Sequence, residues 1–233
     1  MSMFANAAAF HDPKSLLRAM GSDLSAARAI VDAHGQVLAY ARTGGMISPT
    51  RFELHPNETI YRFGSSAQSP RAVATGGWWM HKREFEQLVR FANTHGIFVG
   101  LAMRLLCLVP PEWSDAGVLI RARVARSLLA WRGLANSVVT PAASGGGVVE
   151  MPHQNEISAR RVHQLFIPGL SDVSALDPAI SIEHVFRLDP HHGRQGFRPC
   201  RPLSFGPANL SDCPRFARSC HVKTLIDHSS AGR

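Results

Sequence analysis

Residues 72–82 read "AVATGGWWMHK", so that Gly76 and Gly77 stand directly before Trp78 and Trp79. Successive side chains of a strand point to opposite faces of a sheet, which predicts that the two indoles face opposite ways. The paired glycines let the backbone turn sharply, or let another chain segment or a ligand come close. The stretch therefore predicts one indole in the core beneath the following helix and the other facing a cleft.

Two periodic segments flank this stretch. Upstream, "ETIYRFG" (58–64) alternates as a strand does, with Arg62 and Phe63 on opposite faces. Downstream, "KREFEQLVRFANTHG" (82–96) has the apolar stripe of an amphipathic helix, and Gly96 is typical of the position just beyond a helix end. A strand before the tryptophans and a helix directly after them are therefore expected.

The remaining segments give further predictions. Helical spacing over 14–34, broken at Gly21, predicts two helices, the second ending at Gly35. The apolar run 97–110 predicts a strand, whereas 117–132 fits either a helix or strands. Further strands are predicted within 141–151, 162–170 and 180–188.

The order of these elements predicts an α+β fold. We expect a split, mostly antiparallel β-sheet core with flanking helices, a helical N-terminal lead and an irregular C-terminal tail. The lead spans residues 1–50, the core 51–188 and the tail 189–233. The tail is rich in Pro, Gly and Arg and has no apolar periodicity, which is typical of irregular chain.

Composition excludes several classes of protein. The chain has 233 residues, of which 45% are hydrophobic, and this is enough for one sizeable core. It lacks the run of roughly 18 uncharged apolar residues that a transmembrane helix needs, so membrane insertion is not expected. The N-terminus lacks the basic region and apolar run of a secretory signal. We therefore expect a cytoplasmic protein, or one that reaches the cytosol of a target cell by a non-classical route.

The formal charge of +8 is distributed unevenly. Residues 187–233 hold eight Lys or Arg and three Asp or Glu, a net of +5, which leaves +3 for residues 1–186. The core is thus only mildly basic. The tail either binds anions such as nucleic acid or keeps the chain soluble, and both interpretations stay open.

The tail also contains several histidines and cysteines, which are residue types that bind zinc. Their spacings contain no Cys-x2-Cys or His-x3-His pair, so free thiols are the preferred interpretation and no metal site is predicted. The residues concerned are His191, His192, Cys200, Cys213, Cys220 and His221.

Three separated elements carry residues whose chemistry fits a single ligand. Arg62 can bind a diphosphate through paired N–H donors. The glycine turn and the tryptophans can hold a planar ring. Glu156, in "GGGVVEMPHQNEISA" (145–159), can favour the oxocarbenium ion that develops when a nicotinamide–ribose bond breaks. These are the parts needed to open NAD at its N-glycosidic bond.

In this order, the elements resemble the mono-ADP-ribosyltransferase superfamily of bacterial toxins and related enzymes. The motifs that carry the resemblance are "YRFGSS" (61–66), "TGGWWMHKREFEQLVRFA" (75–92) and "QNE" (154–156). They lie within roughly residues 55–170, about half of the chain. A Ser-Thr-Ser triplet is absent, and Thr75 is the only hydroxyl residue directly before the glycines.

The resemblance implies an enzyme with NAD as its substrate and a macromolecular acceptor, either protein or nucleic acid. It implies that Arg62 holds the NAD phosphates, that Glu156 is the catalytic carboxylate and that Gln154 touches the acceptor. It also implies a nicotinamide pocket built from Thr75, Gly76, Gly77, Trp78 and Trp79.

Other interpretations remain open. An NAD glycohydrolase would use the same site without a macromolecular acceptor. A non-enzymatic nucleic-acid-binding module would use the basic tail instead, and its affinity would fall steeply with salt. Glu150 is a rival carboxylate within the third element. His153 and His163, which flank this region, are expected to be structural histidines.

Overall fold

The computed structural model describes residues 3–21, 28–144, 147–152, 161–171, 173–188 and 198–199. The helices in this part of the chain are α1 (Ala7–His11), α2 (Pro13–Ala19), α3 (Pro70–Ala74), α4 (Lys82–His95), α5 (Val99–Cys107) and α6 (Val173–Ala179). The strands are β1 (Ala29–Val31), β2 (Val37–Tyr40), β3 (Arg42–Thr43), β4 (Met46–Leu54), β5 (Thr59–Gly64), β6 (Trp78–His81), β7 (Val118–Val124), β8 (Leu128–Ala135), β9 (Val138–Pro141), β10 (Val148–Met151), β11 (His163–Phe166), β12 (Ile180–Arg187) and β13 (Arg198–Pro199).

The described strands form three sheets. The main sheet has eight strands in the order β13-β12-β7-β5-β6-β11-β8-β4, and its neighbouring strands are antiparallel. The smaller sheets are β1-β2 and β10-β9-β3. The predicted α+β fold, with a mostly antiparallel sheet and flanking helices, is confirmed.

Alternation along the central strand β5 separates two hydrophobic cores. Ile60 joins a cluster with Val73 of α3, whereas Tyr61 joins a cluster with Phe85 of α4. Because successive side chains of a strand face opposite ways, the two clusters lie on opposite faces of the sheet. The predicted strand is β5, and the predicted amphipathic helix is α4, which ends at Gly96 with a φ of 62°.

Strands β5 and β6 diverge after a short pairing. They are paired at two positions, Ile60 with His81 and Tyr61 with Met80. Beyond Tyr61, β5 continues along β7 as far as Gly64, while the first half of β6 pairs with β11. The sheet is therefore split by a fork between the strand that carries the arginine and the strand that carries the tryptophans.

The N-terminal helices pack on the main sheet. The buried Asn6 donates from Nδ2 to the carbonyls of Leu129 (2.8 Å) and Pro168 (2.9 Å), and its Oδ1 accepts from the amide of Leu129 (2.8 Å). The ring of Phe10 stacks on Trp131 with centroids 4.5 Å apart. Strand β4 runs through residue 50, so the predicted lead continues directly into the core sheet.

The predicted second helix of the lead is wrong where the structure describes it, because Ala29–Val31 is strand β1, paired with β2. The side chain of Asp32 accepts hydrogen bonds from the amides of His34 (2.8 Å) and Gln36 (2.9 Å). Gly35 has a φ of 78°, which suits a turn. The Asp-centred turn and the β-branched pair before it favour a hairpin over a helix.

The predicted strand over 97–110 is also wrong, since Val99–Cys107 is helix α5. A run in which almost every residue is apolar shows no clear period, so periodicity alone cannot separate a buried helix from a buried strand. The helix ends at Leu108, which has a φ of 52°. Segment 117–132, for which the sequence allows either structure, forms strands β7 and most of β8.

Candidate functional site

The fork between β5 and β6 opens into a cavity of about 710 Å³. Its walls are largely aromatic and aliphatic with a few polar side chains, which is the usual make-up of a small-molecule site. The lining residues are Arg18, Gly21, Gly44, Gly45, Tyr61, Arg62, Phe63, Trp78, Trp79, Met80, Met103, Cys107, Leu108, Val109, Trp113, Ser114, Asn136, Gln164 and Phe166.

Arg62 places a positive charge in the wall of this cavity. Its Nε donates to the carbonyl of Val73 and its Nη1 to the carbonyl of Trp78, so the guanidinium ties the two sides of the fork together. These bonds account for two of the five N–H donors of a guanidinium. Burial lowers the pKa of Arg62 to about 10, and the side chain therefore stays cationic at neutral pH.

The two glycines serve close packing behind the cavity wall. A Cβ on Gly76 would overlap the guanidinium of Arg62. A Cβ on Gly77 would lie 2.7 Å from Cε2 of Phe166, and the Gly77 carbonyl accepts from the amide of Ile167 at 2.7 Å. Thr75 donates from Oγ1 to the carbonyl of Ala72 (2.8 Å) at the end of α3. Thr75, Gly76 and Gly77 thus support the cavity but are not among its lining residues.

The two tryptophans differ in burial, as their alternation predicts. Trp79 is 2% exposed and donates from Nε1 to the carbonyl of Gly76 (2.8 Å). It packs with Val73 in the cluster on the α3 face, so the prediction that the buried indole lies beneath α4 is wrong. Trp78 is partly exposed, and its ring centroid lies 5.2 Å from that of Phe166. Both tryptophans border the cavity.

Several lining residues are not predicted from the sequence. Tyr61 stacks on Phe85 with centroids 3.9 Å apart, and Gln164 donates from Nε2 to the carbonyl of Cys107 (3.0 Å). Gln164 and Phe166 both come from β11, where their spacing of two places them on one face. That alternation is visible in "HQLF". Trp113, by contrast, stands in a loop, where no periodic signal marks it.

The predicted catalytic residues Glu156 and Gln154 lie outside the described residues, as does His153. The rival Glu150 belongs to β10, where it pairs with Val139, and its side chain is exposed and outside the cavity lining. Among the described residues that line the cavity there is no Asp or Glu. The described lining therefore supplies no carboxylate to the cavity.

His163 belongs to an ionic cluster around the buried Glu84. Arg132 contacts Oε1 of Glu84 (2.7 Å) and Nδ1 of His163 (3.1 Å) through its Nη2. Burial lowers the pKa of His163, and the charge of Arg132 acts in the same direction. These contacts agree with the prediction that His163 is a structural histidine.

No known protein family matches the chain, and no curated protein sequence matches it. Among solved structures, the chain is similar to Rhs1-CT in complex with its cognate immunity protein RhsI1. The similarity has a TM-score of 0.34 and 15% sequence identity, and it covers 66% of this chain and 88% of that chain. The function is therefore inferred from the residues of this chain.

Membrane-spanning helices and metal-binding clusters are both absent from the described residues. No described helix has both the length and the hydropathy needed to span a bilayer. No group of three or more His, Cys, Asp or Glu in this part of the chain could hold a metal ion. The histidines and cysteines considered as zinc ligands in the tail lie outside the described residues.

Proposed function

We propose that this protein is an NAD-dependent mono-ADP-ribosyltransferase of the type found among bacterial toxins and effectors. It cleaves the nicotinamide–ribose bond and transfers ADP-ribose to a macromolecular acceptor. The supporting observation is the adjacency of β5, β6 and β11 in the main sheet. Strand β5 carries Arg62, strand β6 carries the tryptophans, and strand β11 follows the "QNE" segment. Almost 100 residues of the chain separate β5 from β11.

The cavity matches the parts of a dinucleotide. Trp78 and Phe166 form an aromatic pair at the fork, which suits the planar nicotinamide ring. Arg62 supplies a fixed positive charge in the same wall for the diphosphate. Because Arg62 is already anchored to two carbonyls, it would lose little side-chain freedom when it binds the anion.

Glu156 is assigned the role of stabilising the positive charge that develops on the ribose when the N-glycosidic bond breaks. In NAD, the N-glycosidic bond breaks so that its electron pair leaves with nicotinamide, and the ribose becomes an oxocarbenium ion. A carboxylate near the 2′-hydroxyl favours that ion. An acceptor nucleophile then bonds to the anomeric carbon and releases its proton to a base or to water. The described cavity lining holds no carboxylate, and the "QNE" segment connects β10 with β11, the strand that supplies Gln164 to the cavity.

Product analysis tests this function and separates it from the alternatives. The full chain is incubated with adenine-labelled NAD and a cell lysate, and released nicotinamide, free ADP-ribose and labelled macromolecules are measured. We expect nicotinamide release together with a labelled protein or nucleic acid. Nicotinamide with only free ADP-ribose would identify a glycohydrolase. No nicotinamide release, with salt-sensitive nucleic-acid binding instead, would favour the binding-module alternative.

A further inference from the structure

Trp113 is an exposed aromatic residue that lines the cavity. It lies in the loop between α5 and β7, and 45% of its surface is exposed. An indole normally contributes to stability by burial, so one left open at a cavity wall is a candidate binding surface. Its Cη2 atom is 3.7 Å from the position that a Cβ on Gly44 would take. The ring therefore rests against Gly44 on one side while much of its surface stays open.

The backbone on both sides of Trp113 is held by hydrogen bonds. Its amide donates to the carbonyl of Pro110 (3.1 Å), which closes a turn. Arg104 of α5 donates from Nη2 to the carbonyl of Ser114. The hydroxyl of Ser114 accepts from the amide of Ala116 (3.1 Å). The indole is thus presented by a loop that is already ordered, which reduces the entropy lost when a ligand binds.

The same loop is tied to the strand that carries Arg62. Asp115 accepts hydrogen bonds from the amides of Ser66 (2.9 Å) and Gly117 (3.0 Å). Burial alone would raise the pKa of Asp115, but the hydrogen bonds from Ser66 and Gly117 lower it to about 2. The Asp115 carboxylate is therefore charged at neutral pH. This link fixes Trp113 relative to Arg62, because Ser66 lies two residues beyond the end of β5.

We propose that Trp113 stacks on the adenine ring of NAD, so that it acts as a specificity-determining residue for the dinucleotide. This proposal rests on the proposed function. The cavity has one aromatic pair at the fork, Trp78 with Phe166, and an exposed indole in the loop after α5, with Arg62 in the same wall. A dinucleotide has two flat rings and a diphosphate, and these lining residues supply an aromatic surface for each ring and a cation for the diphosphate. A mononucleotide would occupy the fork alone.

Comparison of two ligands isolates the contact with adenine. Binding of carba-NAD, whose N-glycosidic bond is inert, and of nicotinamide mononucleotide is measured by calorimetry on the full chain. The variants are Trp113→Ala, Trp113→Phe and the control Tyr40→Ala, which removes an aromatic residue that is 61% exposed and outside the cavity. Stacking of a base on an aromatic side chain predicts that Trp113→Ala weakens carba-NAD binding about tenfold.

The expected pattern is specific. Trp113→Ala leaves the affinity for nicotinamide mononucleotide unchanged. Trp113→Phe keeps the affinity for carba-NAD within about threefold, because a phenyl ring still stacks on the base. Tyr40→Ala also keeps it within about threefold, because Tyr40 lies outside the cavity. Equal loss of both ligands in Trp113→Ala, or no loss of either, would overturn the role of Trp113 without contradicting NAD binding by the unaltered chain. Failure of the unaltered chain to bind carba-NAD would reject the proposed function as well.

Discussion

The guanidinium of Arg62 occupies the space that a side chain on Gly76 would need. The same guanidinium donates to the carbonyl on each side of the Gly-Gly turn, at Val73 and at Trp78. The guanidinium of Arg62 can therefore link β5 to β6 only because Gly76 has no Cβ at this position. The cavity wall depends on both residues.

Substitution Gly76→Ala is expected to destabilise the fold by about 1–3 kcal/mol, because the added methyl group must displace the guanidinium of Arg62 or the turn itself. Urea unfolding monitored by tryptophan fluorescence measures this. The matched control is Gly147→Ala, whose Cβ would meet only Ala142, at 3.6 Å, among the described residues and should change stability by less than about 0.5 kcal/mol. Equal stability of the two variants would contradict the packing described here.

Substitution Arg62→Lys is expected to keep the charge but weaken both the fold and ligand binding. A lysine ammonium lacks the planar fork of donors, so it cannot reproduce the two carbonyl bonds and also face a diphosphate. We expect a loss of about 1–3 kcal/mol in stability and about tenfold in NAD affinity. Arg51→Lys, at an exposed surface pair with Glu53, is the control. NAD affinity that is the same in both variants would argue against Arg62 as the phosphate ligand.

Substitution Trp79→Phe removes the bond from the indole Nε1 to the carbonyl of Gly76 and leaves space in the α3-side core. The expected loss of stability is about 1–3 kcal/mol. Trp113→Phe exchanges the same residue types at an exposed position and should cost less than about 0.5 kcal/mol. Thermal unfolding of both variants by circular dichroism compares them. A larger loss at Trp113 would contradict the assigned burial.

The stability of the protein should fall as the pH drops below about 6.5. Burial and the nearby Arg132 lower the pKa of His163, so the folded protein binds a proton at this residue less readily than the unfolded chain does. The stabilisation is complete above the unfolded pKa and is lost as the pH falls through the folded pKa. Substitution His163→Gln should flatten this part of the profile, measured by urea unfolding between pH 7 and pH 5. His34→Gln, which makes the same exchange at an exposed position away from Glu84 and Arg132, is the control.

The regular parts of the fold could be predicted from the sequence where the order of residue types has a clear period. Alternation in "ETIYRFG" identifies β5, whose two faces pack into different clusters. The apolar stripe of 82–96 identifies α4, because the opposite side of that helix is polar. Helix α5 was not predictable in this way, since almost every residue in it is apolar and no polar side marks its period. The hairpin at Asp32 depends on side-chain bonds to the backbone, and helical periodicity in that segment hides them.

The candidate site was predictable only in part. Arg62 and the tryptophans could be identified because their residue types suit a dinucleotide and a distinctive glycine pair stands beside them. The supporting role of the glycines was not predictable, because it depends on the contacts of Gly76 with Arg62 of β5 and of Gly77 with Phe166 of β11. Trp113 could not be placed either. Its position depends on the hydrogen bond between Asp115 and Ser66, residues 49 positions apart.

We propose that this chain cleaves NAD with Glu156 as the catalytic carboxylate, and the rate of nicotinamide release by Glu156→Gln tests that role. The control is Glu150→Gln, which makes the same exchange six residues earlier, at an exposed position outside the described cavity lining. Loss of the charge that stabilises the oxocarbenium ion predicts a fall of about a hundredfold or more in Glu156→Gln and no significant change in Glu150→Gln. Undiminished nicotinamide release by Glu156→Gln would contradict the assignment.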